Sequence, residues 1–395
     1  MEFKGSVTSV AEAENLVCQI KSFSVKEVGS SGWKKQRKCL EILNMSAHSN
    51  AAQNKDDYVK EFLVQHGKLS DVLNELLVME VWRQRVLPSV LEPLATNPSA
   101  PYIYCNYESI LVNLLECVCY HEEVITGFGD DLLELIDYCW RQVYRFFSLP
   151  ELKNCSQDFD PKAALKQSPL DTLNTQLGQN LITRGMACIS ILWFIVDRIN
   201  DLPLSVSNSV FNKNDLPVGI SEVLLLQPWL RRSPSKVEKY NNGQYVAVEG
   251  DEVARVCIPE AHCWFMIHKL LCDKDCRTQY QYTTHKKEII LQIKRFMNDT
   301  LTDQIPPLQN VQRALEELSF MQPPTGTEEK FKSKLVIEQV PRLMSRIDHS
   351  SCDWKQIGNA MKEHLVNANE KREDAMWLSE IFLPHVRVME SNIIR

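Results

Sequence analysis

The chain of 395 residues carries 44 Lys and Arg against 51 Asp and Glu, a formal charge of −7. That balance argues against binding nucleic acid or an anionic membrane through the whole surface. With 44% apolar residues, 24% charged residues and only 13 Gly, the composition is that of an ordinary globular protein and excludes collagen-like or glycine-dense β architectures.

Met1 to Val17 contains Glu2, Glu12 and Glu14 and no apolar core, so it does not read as a secretory signal. The 13 cysteines are accordingly expected to be reduced, most of them as small core residues. Lys34-Lys35-Gln36-Arg37-Lys38, beside Trp33, reads as the solvated face of a helix centred near Leu40. The three- and four-residue steps of Leu69, Val72, Leu73, Leu76, Leu77 and Val81 predict the next long helix. Ser70 would be its N-cap and Asp71 would favour its first turn. Ile110, Leu111, Leu114, Leu115 and Val118 form another apolar face, and Leu132 to Val143 a further one after Gly127 and Gly129. Centres near Leu40, Leu76 and Leu114 lie roughly 35–40 residues apart, close to the armadillo/HEAT period.

Residues 150–172 hold Pro150, Pro161 and Pro169 among polar residues and read as a linker. A helix is expected from Leu173 to Ile199. Its uncharged run, Gly185 to Val196, falls short of the ~20 residues that cross a bilayer and reads as buried, so membrane insertion is not expected. A loop over Asp201 to Leu216 and a helix to Leu226 follow. Asn241-Asn242-Gly243 between alternating segments predicts a β-hairpin near 237–248. Helices are expected over 260–272 and 284–303, the second stopped by Pro306-Pro307, with a flexible loop over 322–333. Pro341 is placed to open a helix, and two more are expected over 353–366 and 370–383. The fold expected is all-α, an armadillo/HEAT-like helical solenoid with a small β-hairpin insertion. It divides into N-terminal helical repeats (1–149), a linker (150–172), a second helical segment (173–321), a loop (322–333) and C-terminal helices (334–395).

Reactive motifs are weak. Cys257, His262, Cys263, His268, Cys272 and Cys276 are the best metal-like set, because zinc takes about four thiolate or imidazole ligands. They lack tight C-x-x-C spacing, and His262, Cys263 and His268 fall in an apolar helix, which favours core cysteines and partly buried histidines. His121-Glu122 opens like a zinc-protease motif, but Ile125 stands where the second ligand would be. Gly127-Phe128-Gly129 lacks a third glycine and a preceding strand, so it reads as a turn. Cys117 and Cys119 diverge on a helix. Trp82 and Trp229 read as core or inter-helix packing or as interface residues, and the sequence does not separate the two. No carboxylate pairs with a His or Cys in a recognisable catalytic spacing.

Several segments occur together in a fixed order. They are Ser22-Phe23 through Gly32-Trp33 to Leu43-Asn44-Met45; His66-Gly67-Lys68 with Glu80-Val81-Trp82-Arg83-Gln84; and Glu108-Ser109-Ile110 with Asn113-Leu114-Leu115-Glu116. Asp137-Tyr138-Cys139, Leu216-Pro217 and Pro228-Trp229 follow, then Asp299-Thr300-Leu301-Thr302-Asp303-Gln304-Ile305-Pro306 and Leu335-Val336-Ile337-Glu338-Gln339-Val340-Pro341. Over roughly residues 10–383 the chain resembles a family of axonemal dynein assembly factors that end in a MYND zinc finger. The finger's Cys/His array is not seen here: the last cysteine is Cys352, and the sequence ends PHVRVMESNIIR. Zinc is therefore not expected in this chain, nor is any other cofactor, and contacts that the finger makes in the family do not carry over.

The resemblance implies a cytoplasmic, non-enzymatic scaffold or co-chaperone that helps preassemble inner and outer dynein arms for motile cilia. It implies enrichment near centriolar satellites or the ciliary base. Axonemal dynein chains would be clients. Heat-shock chaperones with an immunophilin co-chaperone and a leucine-rich-repeat assembly factor would be partners. Stacked helices suit such work because they expose grooves that hold a client segment. The alternatives are a generic helical adaptor and a truncated form with impaired partner binding. MYND fingers also occur in lysine methyltransferases, but the β-rich SET domain and its Gly/Asn motifs are not recognisable here. Trp377, on the last helices, is the candidate partner-binding residue. The competing reading packs it inside the last helix pair.

Overall fold

A computed structural model describes residues 8–149, 152, 167–234, 236–322, 341–349 and 351–379. In chain order the N-terminal helices are α1 (Val10–Cys18), α2 (Ser31–Ala52), α3 (Tyr58–Gln65), α4 (Leu69–Arg85), α5 (Leu87–Thr96), α6 (Tyr107–Cys119) and α7 (Glu122–Gly127). Then come α8 (Leu132–Tyr144), α9 (Pro169–Asp197), α10 (Leu204–Asn208) and α11 (Leu216–Leu226). The strands are β1 (Leu230–Arg232), β2 (Val237–Asn241) and β3 (Gln244–Val248). They are followed by α12 (Ile258–Cys272), α13 (Lys274–Gln279), α14 (Thr284–Gln292), α15 (Asp299–Gln304) and α16 (Leu308–Phe320). The C-terminal helices are α17 (Arg342–Ile347), α18 (Trp354–Val366) and α19 (368–379). The fold is all-α with a small β insertion.

Contacts divide the chain into two units: Met1–Phe128, Asp160–Arg184 and Arg342–Arg395 in the first, Gly129–Phe159 and Gly185–Pro341 in the second. This differs from the sequence division. The described C-terminal helices join the N-terminal ones in one unit, and the boundary runs through α9 between Arg184 and Gly185. The expected linker over 150–172 lies mostly outside the described residues, as do nearly all of the loop over 322–333 and the chain beyond 379.

In the first unit α2 and α4 both pack on α6, the three helices anticipated from their spacing. α4 is buried at nearly every position from Leu69 to Trp82, so it is an inner helix. Its start corrects the expected Ser70 cap. Lys68 N–H donates to Leu63 O at 2.9 Å after Gly67 turns through φ +62°, and α4 begins at Leu69 with Lys68 at the cap position. The C-terminal helices close over this body: α17 packs on α4 and α18 on α5. Arg346 Nη2 donates to Asn74 Oδ1 at 2.7 Å, Arg85 pairs with Asp348 at 2.9 Å, and Gly358 faces Ser89.

In the second unit α11 packs on α12 and α14, and α16 covers both of these. The core includes Ile220, Val223, Met266, Ile267, Leu270, Ile290 and Leu315. The expected loop over 201–216 is partly helical: α10 is followed by a π-helical turn over Ser209–Lys213, drawn in by buried Val210 and Phe211. The hairpin forms as read, with Asn242 and Gly243 both at positive φ in a turn that matches strand twist. β1 adds a third antiparallel strand, pairing Leu230 with Lys239. Sequence missed it because three residues are too few to show alternation. α9 is long and apolar enough by composition to cross a membrane, yet two thirds of that window is buried inside the protein, as in a core helix.

Candidate partner-binding surfaces

The first surface is built on α2. Ser30 caps this helix by accepting from Trp33 N–H at 3.2 Å, after Gly29 turns at φ +94° against Tyr104. Trp33 is fully buried, stacked at 5.8 Å on Tyr104 and meeting Tyr107 edge-on at 5.3 Å. Trp82 stacks on Tyr104 at 6.0 Å.

One turn along α2, Arg37 is completely buried. That corrects the expectation of a solvated basic face. Its Nε donates to Ile103 O at 2.9 Å, Nη2 to Tyr102 O at 3.0 Å and Nη1 to Glu41 Oε2 at 2.9 Å. Its guanidinium also faces the rings of Tyr102, Tyr107 and Trp377, at 5.0, 5.3 and 4.6 Å. A guanidinium with all these partners is compensated for lost hydration. Lys34 on the same helix is nearly buried, with Nζ 2.6 Å from Asp374 and 3.6 Å from Glu370. His364 Nδ1 lies 3.4 Å from Glu370, and Tyr104 OH is 3.1 Å from His364 Nε2. These contacts tie α18 and α19 to α2.

Trp377, the predicted partner residue, is therefore half-buried with its ring against Arg37. Its indole nitrogen is buried without a hydrogen-bond partner among the described residues. The apolar side chains that α18 and α19 turn outward are Val366 and Met376, each more than half exposed.

Beneath Trp33, Glu75 is fully buried, with Gln36 Nε2 donating to one carboxylate oxygen at 3.1 Å. Burial pushes its carboxyl up to about 8, against the opposing pull of the Trp33 N–H, the Tyr107 hydroxyl and Gln36. Burial therefore favours its neutral, protonated form. Nearby, Arg83 grips Glu108 through two hydrogen bonds of 2.6 and 3.0 Å, and Arg184 approaches it at 3.7 Å.

The second surface is a groove of about 500 Å³ in the second unit. Trp229 and Trp264 form its nearly buried floor, with Leu224 and Leu301 beside them. Arg232 and Arg295 stand exposed on its rim, and the Arg295 guanidinium lies 4.8 Å over Phe296. Lys239 reaches in from β2, donates to Val253 O at 3.1 Å and to Arg255 O, and lies 3.6 Å from Glu260. Burial raises the Glu260 carboxyl, with Lys239 opposing.

The remaining candidates scatter. His262 accepts or donates through Nδ1 to Ser190 Oγ at 3.0 Å and stacks on Trp193 at 6.4 Å. Burial pulls its pKa down to about 4. Cys263 and Cys276 are buried, and Cys257 and Cys272 half-buried. Burial lifts the thiols of Cys257 and Cys272 to about 11 and that of Cys276 to about 12. Among the described residues no three metal-ligating side chains gather. His121 pairs with Asp57 at 3.5 Å at the mouth of α7, and Ile125 is buried. Cys119 is buried and Cys117 half-buried. Gly129, at φ +54°, opens the turn into α8.

Compared with known proteins, the chain is 27% identical over 331 residues to the zinc finger MYND domain-containing protein 10 homolog of Drosophila melanogaster. The match covers 83% of this chain and 71% of that protein. No family model matches, and no solved structure matches. The alignment spans most of both sequences, and each of the two units is too long to lie outside it: across most of its length the chain is similar to this zinc finger MYND domain-containing protein 10 homolog.

Proposed function

We propose that this protein is a cytoplasmic, non-catalytic scaffold or co-chaperone in the preassembly of inner and outer axonemal dynein arms for motile cilia. Dynein chains are its clients. Heat-shock chaperones with an immunophilin co-chaperone, and a leucine-rich-repeat assembly factor, are its partners. The similarity to zinc finger MYND domain-containing protein 10 across most of both chains carries this reading. The helical architecture supports it, because packed helices present grooves and faces to other polypeptides without needing a reactive group.

The test is deletion in multiciliated cells, followed by electron microscopy of axonemes and affinity purification of the tagged chain. Loss of both dynein arms, with dynein chains and chaperones co-purifying, is the expected result. Intact arms would overturn the reading. Capture of unrelated partners without dynein chains would favour a general helical adaptor.

A further inference from the structure

The groove of the second unit is positive in a chain whose overall charge is −7. Arg232, Lys239 and Arg295 line it against a single carboxylate, Glu260. Lys239 is occupied by two backbone carbonyls, but Arg232 and Arg295 are exposed and have no ion-pair partner among the described residues. Exposed guanidiniums above an apolar floor fit a ligand that alternates acidic and apolar groups.

The strand beside the groove narrows the ligand class. Among the described residues β1 is an edge strand, paired only with β2. Tyr240 N–H donates to Trp229 O at 2.8 Å and Ser233 N–H to Lys236 O at 2.9 Å, so residues 229, 231 and 233 turn their backbone groups toward β2. By antiparallel alternation, the N–H and C=O of Arg232 and the C=O of Leu230 face away from it. Leu230 and Arg232 both line the groove. An extended chain laid there gains backbone hydrogen bonds from the strand while its alternate side chains enter the groove.

We propose that this groove, with the β1 edge, is a docking site for an extended acidic peptide segment bearing apolar anchors. Main-chain pairing along Arg232 supplies affinity, the Trp229 and Trp264 floor takes an apolar side chain, and Arg232 and Arg295 hold flanking Asp or Glu. The site deepens the scaffold reading, since it rests on the protein gripping other polypeptides.

The test uses the full chain and a fluorescein-labelled decapeptide alternating Glu with Leu and Phe, followed by fluorescence anisotropy. Saturable binding is expected, weakening as salt rises because exposed charges are screened. The double variant Arg232→Glu/Arg295→Glu should weaken binding by about tenfold or more, while Lys355→Glu/Lys362→Glu, an equal charge change elsewhere, should leave it intact. Circular dichroism identical to the parent excludes misfolding. A Lys-for-Glu peptide binding equally well, or binding unmoved by the groove variants, would overturn the site. If the groove variants lose the peptide yet still co-purify dynein chains from ciliating cells, the site stands as a peptide site but not as the client site. If peptide binding fails and co-purification persists, the groove proposal falls and the scaffold reading survives.

Discussion

The guanidinium of Arg37 lies 4.6 Å from the ring of Trp377, so a buried cation near the start of the chain meets an aromatic on the last described helix. The same helix pair is joined by Lys34 and Asp374 at 2.6 Å. The C-terminal helix is thus held by two kinds of attraction, one to a flat π face and one between charges.

Removing the two partners should have unequal effects. Arg37→Ala leaves Glu41 buried without its counter-charge and removes the Arg37 hydrogen bonds to the Tyr102 and Ile103 carbonyls, and should cost about 3–5 kcal/mol. Trp377→Ala loses one cation–π contact and some burial, about 1–2 kcal/mol. Urea unfolding measures both. Hydrogen exchange in Trp377→Ala should rise chiefly over residues 368–379.

Glu75 should make the first unit sensitive to alkali. Its folded pKa of about 8 is above the ordinary 4.5, so the folded state holds its proton more tightly than the unfolded chain. The stabilisation is complete below about pH 4.5 and is lost as pH rises toward 8, at about 1.4 kcal/mol per unit of difference. Glu75→Gln keeps a neutral group of similar shape. It should change little at pH 5 and flatten the decline between pH 5 and 8 in thermal unfolding.

His262 should act in the opposite sense in the second unit. Its folded pKa is lowered to about 4 from 6.5, so the unfolded chain takes up the proton first. Stability is retained above pH 6.5 and lost as pH falls toward 4. His262→Gln, which can still reach Ser190, should reduce the loss between pH 6.5 and 4.5. An unchanged acid limb would show that other groups govern it.

Two glycines of the second unit should not tolerate a methyl group. A Cβ at Gly219 would lie 2.1 Å from the Trp140 ring, and one at Gly185 would lie 2.3 Å from Phe146. Each Gly→Ala change gains helix propensity but overpacks the site, with a net loss of about 1–3 kcal/mol. Gly219→Ala/Trp140→Leu should recover part of it. Equilibrium denaturation of the three variants checks this.

What the sequence alone determined was local. The three-and-four steps in α4 and α6 mark helices with apolar residues to bury, and Asn242-Gly243 marks a hairpin, because period and turn chemistry belong to neighbouring residues. Trp82 and Trp229 read in the sequence either as packing or as interface residues, and it is the tertiary structure that buries both. The likeness to zinc finger MYND domain-containing protein 10 was also readable in ordered short segments. Tertiary structure decided what depends on distant residues. Arg37 reads as one member of a basic run, and only the arrival of Tyr102, Tyr107 and Trp377 turns it into a buried cation. Lys34 likewise becomes an anchor because Asp374 comes to it. The groove could not be seen in advance, since Arg232, Lys239 and Arg295 sit on separate elements and β1 is too short to show a pattern. Periodicity records which side of a helix avoids water, whereas which charges meet there is set by how the chain folds back on itself.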